Sequence, residues 1–218
     1  MKDDPSLKKP PLHVSHIVYG RQAPSKRGGH VSYLLDPKGR GEERAIPENI
    51  VLIRWRKRVM QGYTFSGGRL GPNLWKGLSV ALGPEPKAAW LNMTEAQIND
   101  CLVESRPAMG HYKSSVPSAS VLHALFQVCG LERLKALFAR HLDPNRGDVR
   151  GTPDLFLYAA RQDGKGVYGR FVEVKKPEEE FQPGQREEIA FLNSIGLHAR
   201  VLRLIERGPA QTPPVSAE

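Results

Sequence analysis

Apolar and polar positions alternate most clearly in the last third of the chain. Leu155-Phe-Leu-Tyr158 and Phe171-Val-Glu-Val-Lys175 are short runs rich in β-branched and aromatic residues, separated by the polar segment Arg161-Gln-Asp-Gly-Lys-Gly166. This pattern predicts a β-hairpin. With Asp163-Gly164 as the central pair of a type I′ turn, opposed residues share the number sum of 163 and 164. That register sets Asp154 opposite Glu173.

Elsewhere the apolar period lengthens to that of a helix. Val121–Val128, capped by Ser118 or Ser120, continues beyond Gly130 through Leu131, Leu134, Leu137 and Phe138. A shorter helix starts at Asn92 or Thr94 and runs to Val103. Pro183-Gly184 opens a third helix, Gln185 to Ser194, closed by Gly196. Gln185, Ile189 and Leu192 fall on one inward stripe, where a glutamine calls for a polar partner near the carboxylates. Further strands are expected at Leu12–Gly20, His30–Leu35 and His198–Ile205. Residues 62–90, rich in glycine and proline, read as connecting structure, and the acidic run Glu178-Glu-Glu180 as a solvated loop. Strand, turn, strand, helix and strand at these lengths give an α/β core with a mixed sheet.

The chemistry follows from the hairpin register. Directly opposed side chains have Cβ atoms roughly 4.5–5.5 Å apart, and like charges there repel. A divalent cation relieves that repulsion, and hard Mg²⁺ or Mn²⁺ is held by one or two carboxylates completed by water and phosphate. Lys175 lies two residues beyond Glu173, on the same face of its strand. Two acids and an ammonium therefore share one patch of sheet.

Charge adds a partner. Of the net +9, residues 1–90 hold 16 Lys+Arg against 7 Asp+Glu, while residues 91–218 hold 16 of each. A basic front half fits nucleic-acid phosphates, or it serves only to keep a loop-rich segment soluble. Its densest stretch, Ile50-Val-Leu-Ile-Arg54-Trp55-Arg56-Lys57-Arg58, offers cations for phosphates and a tryptophan for base stacking. The other reading of Trp55 is a core residue at an amphipathic edge. Two cysteines, Cys101 and Cys129, lack metal spacing and point to neither a disulfide framework nor a zinc site. No apolar run reaches the ~18 residues of a membrane span. A cytoplasmic setting is expected, nucleoid-associated in a prokaryotic or viral source.

Pro153-Asp154 on one strand and Glu173-Val174-Lys175 on the next resemble the active-site motif of the PD-(D/E)XK nuclease superfamily. Gly151-Thr-Pro-Asp-Leu155, Val172-Glu-Val-Lys-Lys-Pro177, the downstream Gln185 and the closing strand through Ile205 are more similar still to the VRR-NUC family. Within it, the similarity is strongest to the nuclease domain of the Fanconi-associated nucleases, which cleave branched and flapped DNA. The resemblance covers about the last third of the chain, extending toward the helices from Ser118. It implies an α/β, restriction-endonuclease-like core, a central mixed sheet flanked by helices, over residues 111–208. A loop-rich basic region of unassigned role (1–110) would precede this core, and a disordered tail (209–218) would follow it.

By the same resemblance, Asp154, Glu173 and the Val174 carbonyl would hold Mg²⁺ or Mn²⁺. Lys175 would orient or activate water and stabilise charge on the phosphate, and Gln185 would support the site. The implied partner is DNA, structured or branched, with Arg54, Arg56, Lys57, Arg58 and Lys176 as contacts and no membrane. One departure stands out. Related nucleases often carry another acid on an upstream helix, yet Pro117-Ser-Ala-Ser120 offers none, leaving Glu104 or Glu132 as substitutes. The alternative is a weak or inactive nucleic-acid-binding module on the same scaffold.

Overall fold

The computed structural model describes residues 14–19, 22–24, 31–34, 43–83, 87–107, 116–144 and 151–206. The tail from 209 onward and the basic segment 25–30 lie outside them.

The predicted hairpin is formed by β6 (Leu155–Arg161) and β7 (Val167–Lys175). Its pairs run from Leu155↔Val172 to Ala160↔Val167, the expected register. The turn itself differs. The Gly164 N–H donates to the Arg161 carbonyl at 3.1 Å, and the Arg161 N–H to the Gly166 carbonyl at 2.9 Å. Gly164 has φ +72°, whereas Asp163 does not enter the left-handed region, so a type I′ turn with Asp163 at its centre is excluded. The central pair is Gln162-Asp163. The loop of residues 162–165 is centred on the same point, so the register survives the change of turn.

β8 (Ala199–Glu206) runs parallel to β7, and β1 (Val14–Tyr19) parallel to β8. β5 (Tyr63–Arg69) pairs antiparallel with β6 along its whole length. The result is a five-stranded mixed sheet of order β1-β8-β7-β6-β5. Its β5 corrects the reading of residues 62–90 as connecting structure. The strand lacks alternation because close contacts replace side chains. A Cβ on Gly67 would strike the Phe156 carbonyl oxygen, and one on Gly68 would strike Val121 Cγ2. A smaller antiparallel sheet joins β2 (Gln22–Pro24), β3 (Val31–Leu34) and β4 (Arg44–Ala45). The front region therefore supplies two strands of the main sheet, and residue 110 is not a boundary of that sheet.

Helices cover both faces. The basic stretch is α1 (Pro47–Arg56), opened by proline at its first position. It buries Ile50, Val51 and Leu52 against Leu155, Leu157, Val172 and Val174. The opposite face carries Phe156, Phe171 and Val201 under α2 (Asn73–Leu82), α3 (Glu95–Glu104), α4 (Ala119–Leu142) and α5 (Pro183–Ser194). Thr94 and Gln97 form the capping box that starts α3, and Gly130, at φ +65°, breaks α4. Arg140 of α4 holds the buried Glu188 of α5 at 2.8 Å. That pair fixes the helix from which Gln185 projects.

Candidate active site

Asp154 stands one residue before β6, level with Glu173 at the far end of β7. Its Oδ2 accepts from the Val174 N–H at 2.8 Å, which ties the acid to the neighbouring strand. Glu173 and Lys175 share the face of Phe171, as their odd numbers require, and both are almost wholly enclosed, at 2% and 1% exposure. Asp154 is only half-buried, the more open of the two acids.

Gln185 answers the question its position raised. Its carbonyl oxygen accepts from Lys175 Nζ at 2.7 Å, and its amide nitrogen donates to Glu173 Oε1 at 2.5 Å. The same carbonyl accepts from the Gln182 N–H at 3.1 Å, closing the cap of α5. Lys175 Nζ also lies 3.2 Å from Glu173 Oε1 and 3.2 Å from Glu179 Oε1. All three donors of this buried ammonium are thereby engaged.

Glu179 corrects the reading of the acidic run as a solvated loop. Its Oε2 accepts from the Lys176 N–H at 3.1 Å while its Oε1 faces Lys175. Arg203 pins the same loop by donating to the Lys176 and Glu179 carbonyls, each at 2.9 Å. The signal in the sequence was the i, i+4 spacing of Lys175 and Glu179.

The further acid that comes near Asp154 is on α1, not on α4. Glu48, in the first turn of α1, lies close enough to Asp154 for its charge to raise that carboxyl. Its Oε2 is buried without a hydrogen-bond partner. Glu104 and Glu132 are exposed, and neither contributes to the charge felt at Asp154 or Glu173. Glu48 went unrecognised because α1 is separated from β6 in sequence by β5 and three helices.

Burial pushes Asp154 up to about 6, opposed by the Val174 N–H and reinforced by Glu48. Burial likewise pushes Glu173 up to about 7, with Asp154 adding to the rise and Lys175 opposing it. Carboxylates crowded in a low-dielectric site behave this way until a cation joins them. Among the described residues, no three His, Cys, Asp or Glu side chains close into a ready-made metal cage, and Glu173 Oε1 is turned toward Gln185 and Lys175. The oxygen-only donor set and the orphaned Glu48 oxygen fit a hard divalent ion that keeps several waters.

The basic candidates do not gather here. Lys176 is exposed beside the site. Arg54, Arg56, Lys57 and Arg58 lie at the C-terminal end of α1, the opposite end from Glu48. Arg56 is committed to structure, donating to the Gly67 carbonyl at 2.7 Å. Trp55 donates from its indole nitrogen to the Ser66 and Tyr158 carbonyls at 2.9 and 3.0 Å. Among the described residues, no helix is long and apolar enough to cross a membrane.

Comparison with known proteins bears on the whole arrangement. The family model described as the VRR-NUC domain matches residues 90–204. A search of curated proteins found no match. Among solved structures, paFAN1 bound to DNA with a 1-nucleotide 5′ flap and a gap is similar at TM-score 0.52 and 16% identity. That match covers 93% of this chain and 39% of paFAN1. The complex with a 2-nucleotide 5′ flap gives 0.54 and 15%, covering 96% and 40%. At these identities the likeness concerns the fold, and this chain spans about two fifths of the length of those proteins.

Proposed function

The chain belongs to the VRR-NUC family, and from that membership together with the convergence of Asp154, Glu173, Lys175 and Gln185 we propose that it is a metal-dependent nuclease hydrolysing phosphodiester bonds in branched or flapped DNA. The observation that carries this reading is the Gln185 bridge. One amide holds both the acid and the ammonium in place, an investment a merely structural hairpin does not need. Support for the substrate comes from the two flap-DNA complexes of similar fold and from the basic front half of the chain.

Asp154, Glu48, Glu173 and the Val174 carbonyl would hold Mg²⁺ or Mn²⁺, which when bound supplies Lewis-acid stabilisation and a water acidified toward neutral pH. The protein's own residues do the rest. Glu173 and Gln185 keep Lys175 extended, aimed at the edge of the site. Of its three partners, Glu179 is the most open, with 39% of its side chain exposed, so it is the one a phosphate oxygen would displace. The Lys175 ammonium then faces the negative charge that grows on the phosphate during attack. Lys176 and the tethered loop of residues 176–182 border the entrance.

The test is cleavage of labelled flap, splayed-arm and duplex DNA with Mg²⁺, Mn²⁺ or EDTA. We expect cutting of at least one branched substrate with metal and none with EDTA. Asp154→Ala, Glu173→Ala and Lys175→Ala should each reduce it by about 10²–10³-fold or more, on the scale of a lost electrostatic contact to the transition state. Intact DNA in every metal would overturn the enzyme and leave a nucleic-acid-binding module.

A further inference from the structure

A second site lies at the other end of the strands. Beneath the C-terminal end of α1 is a cavity of about 450 Å³ lined by Trp55, Arg58, Met60, Tyr168, Arg170 and Arg200, among others, with no acidic residue in its wall. Its floor is the α1 face of the sheet, where Phe65, Ala159 and Tyr168 stand in register across β5, β6 and β7. Arg200 is level with Val172 on the same face. Glu173 points to the opposite face, three residues or ~10 Å beyond Arg170 along β7. The cavity is therefore separate from the acids.

Its chemistry is unusual for a packed surface. The guanidinium carbons of Arg58 and Arg170 sit 5.0 and 5.2 Å from the centre of the Trp55 ring, which holds both cations in fixed positions. The Trp55 indole is locked in turn by its two bonds to strand carbonyls. Arg200 completes the trio, and among the described residues none of the three has an acidic partner. Burial, with repulsion from Arg200 and Arg58 adding to it, lowers the Arg170 pKa. At the rim, Tyr168 is 60% exposed, Met60 58% and the adjacent Val59 98%. Two guanidiniums held on Trp55 and a third beside them, with no acidic residue in the wall and bordered by exposed flat and apolar side chains, match a phosphate and an unpaired base.

We propose that this cavity binds single-stranded nucleic acid, with the backbone phosphate on Arg58, Arg170 and Arg200 and the base against Tyr168. This deepens the nuclease reading by giving the chain a hold on an unpaired strand away from the acids. A cavity of this size suits a nucleotide, and stacking on an exposed aromatic tolerates any base. The rim residues are solvent-facing, so they can be changed without touching the core.

The experiment measures binding of the full chain in EDTA, where no metal supports cleavage. The probes are a fluorescent oligothymidine 12-mer, a blunt duplex of equal length and inorganic polyphosphate. Arg58→Ala with Arg200→Ala should weaken 12-mer binding at least tenfold and reduce its salt slope by about 0.7 per arginine removed. Tyr168→Ala should weaken 12-mer binding at least fivefold with an unchanged salt slope, and should leave polyphosphate binding unaltered. Asp154→Ala, which removes a carboxylate that repels phosphate, should bind the 12-mer at least as tightly as the parent, so loss of cleavage and loss of this site are read separately. Oligothymidine affinity within twofold of the parent in both rim variants would overturn the proposal. So would equal losses for polyphosphate and 12-mer with no effect of Tyr168→Ala, which would mark a general polyanion surface.

Discussion

The Gln185 side-chain carbonyl sits 2.7 Å from Lys175 Nζ, and this contact joins the first turn of α5 to the end of β7. Because the amide's other end holds Glu173, removing it leaves the Lys175–Glu173 pair, already 3.2 Å apart, without the group that orients both side chains. Gln185→Ala is therefore expected to lower the cleavage rate by about 10–100-fold with little change in substrate affinity, the pattern of lost positioning at the reacting centre. Single-turnover rates against DNA affinity check it. An unchanged rate would remove Gln185 from the site.

Glu48 makes a separable prediction. If its orphaned oxygen completes a divalent-ion site, Glu48→Gln should raise the Mn²⁺ concentration for half-maximal cleavage by about tenfold or more. In metal-free buffer the same change removes a charge from beside Asp154 and should slightly raise the melting temperature. Metal titrations of cleavage and of thermal stability give both readouts. A variant with the parent's metal dependence would show that α1 stands outside the site.

The raised carboxyls predict a pH dependence with a definite sign. Asp154 at about 6 and Glu173 at about 7 lie above unfolded values of roughly 4. The folded state therefore holds protons that the unfolded state has released. Their contribution to stability is fully present below about pH 4 and is lost as pH rises through 6 and 7, by roughly 3 kcal/mol for each group in metal-free protein. Asp154→Asn should melt higher than the parent in EDTA, with a gap that widens from pH 5 to pH 8. Mn²⁺ should narrow that gap by stabilising the parent alone. A gap that shrinks with rising pH would contradict the assignment.

Gly151 tests the packing behind the motif. A Cβ there would collide with the Gly184 carbonyl oxygen and approach Glu188 Cβ, so the loop before Asp154 and the start of α5 touch backbone to backbone. Gly151→Ala should cost about 1–3 kcal/mol and should also cut activity, because moving residue 184 moves Gln185. Chemical denaturation and cleavage measured on the same preparation decide it. A stability loss with full activity would show that α5 can shift without disturbing Lys175.

What the sequence determined by itself was local. Alternation, a turn of fixed length and the Glu-x-Lys spacing set the hairpin register, so Asp154, Glu173 and Lys175 were legible as one patch. The helical stripe led to Gln185 because its i, i+4 and i+7 partners are close in the chain. The tertiary structure decided everything that depends on contacts between distant segments. Glu48 meets Asp154 only because α1 packs across the sheet. β5 exists as a strand because β6 offers it an edge and glycines let it approach. Arg58, Arg170 and Arg200 become one cavity only when α1, β7 and β8 come together. The physical reason is that periodicity reports which face of an element is buried, whereas the identity of what lies against that face is set by chain topology and packing.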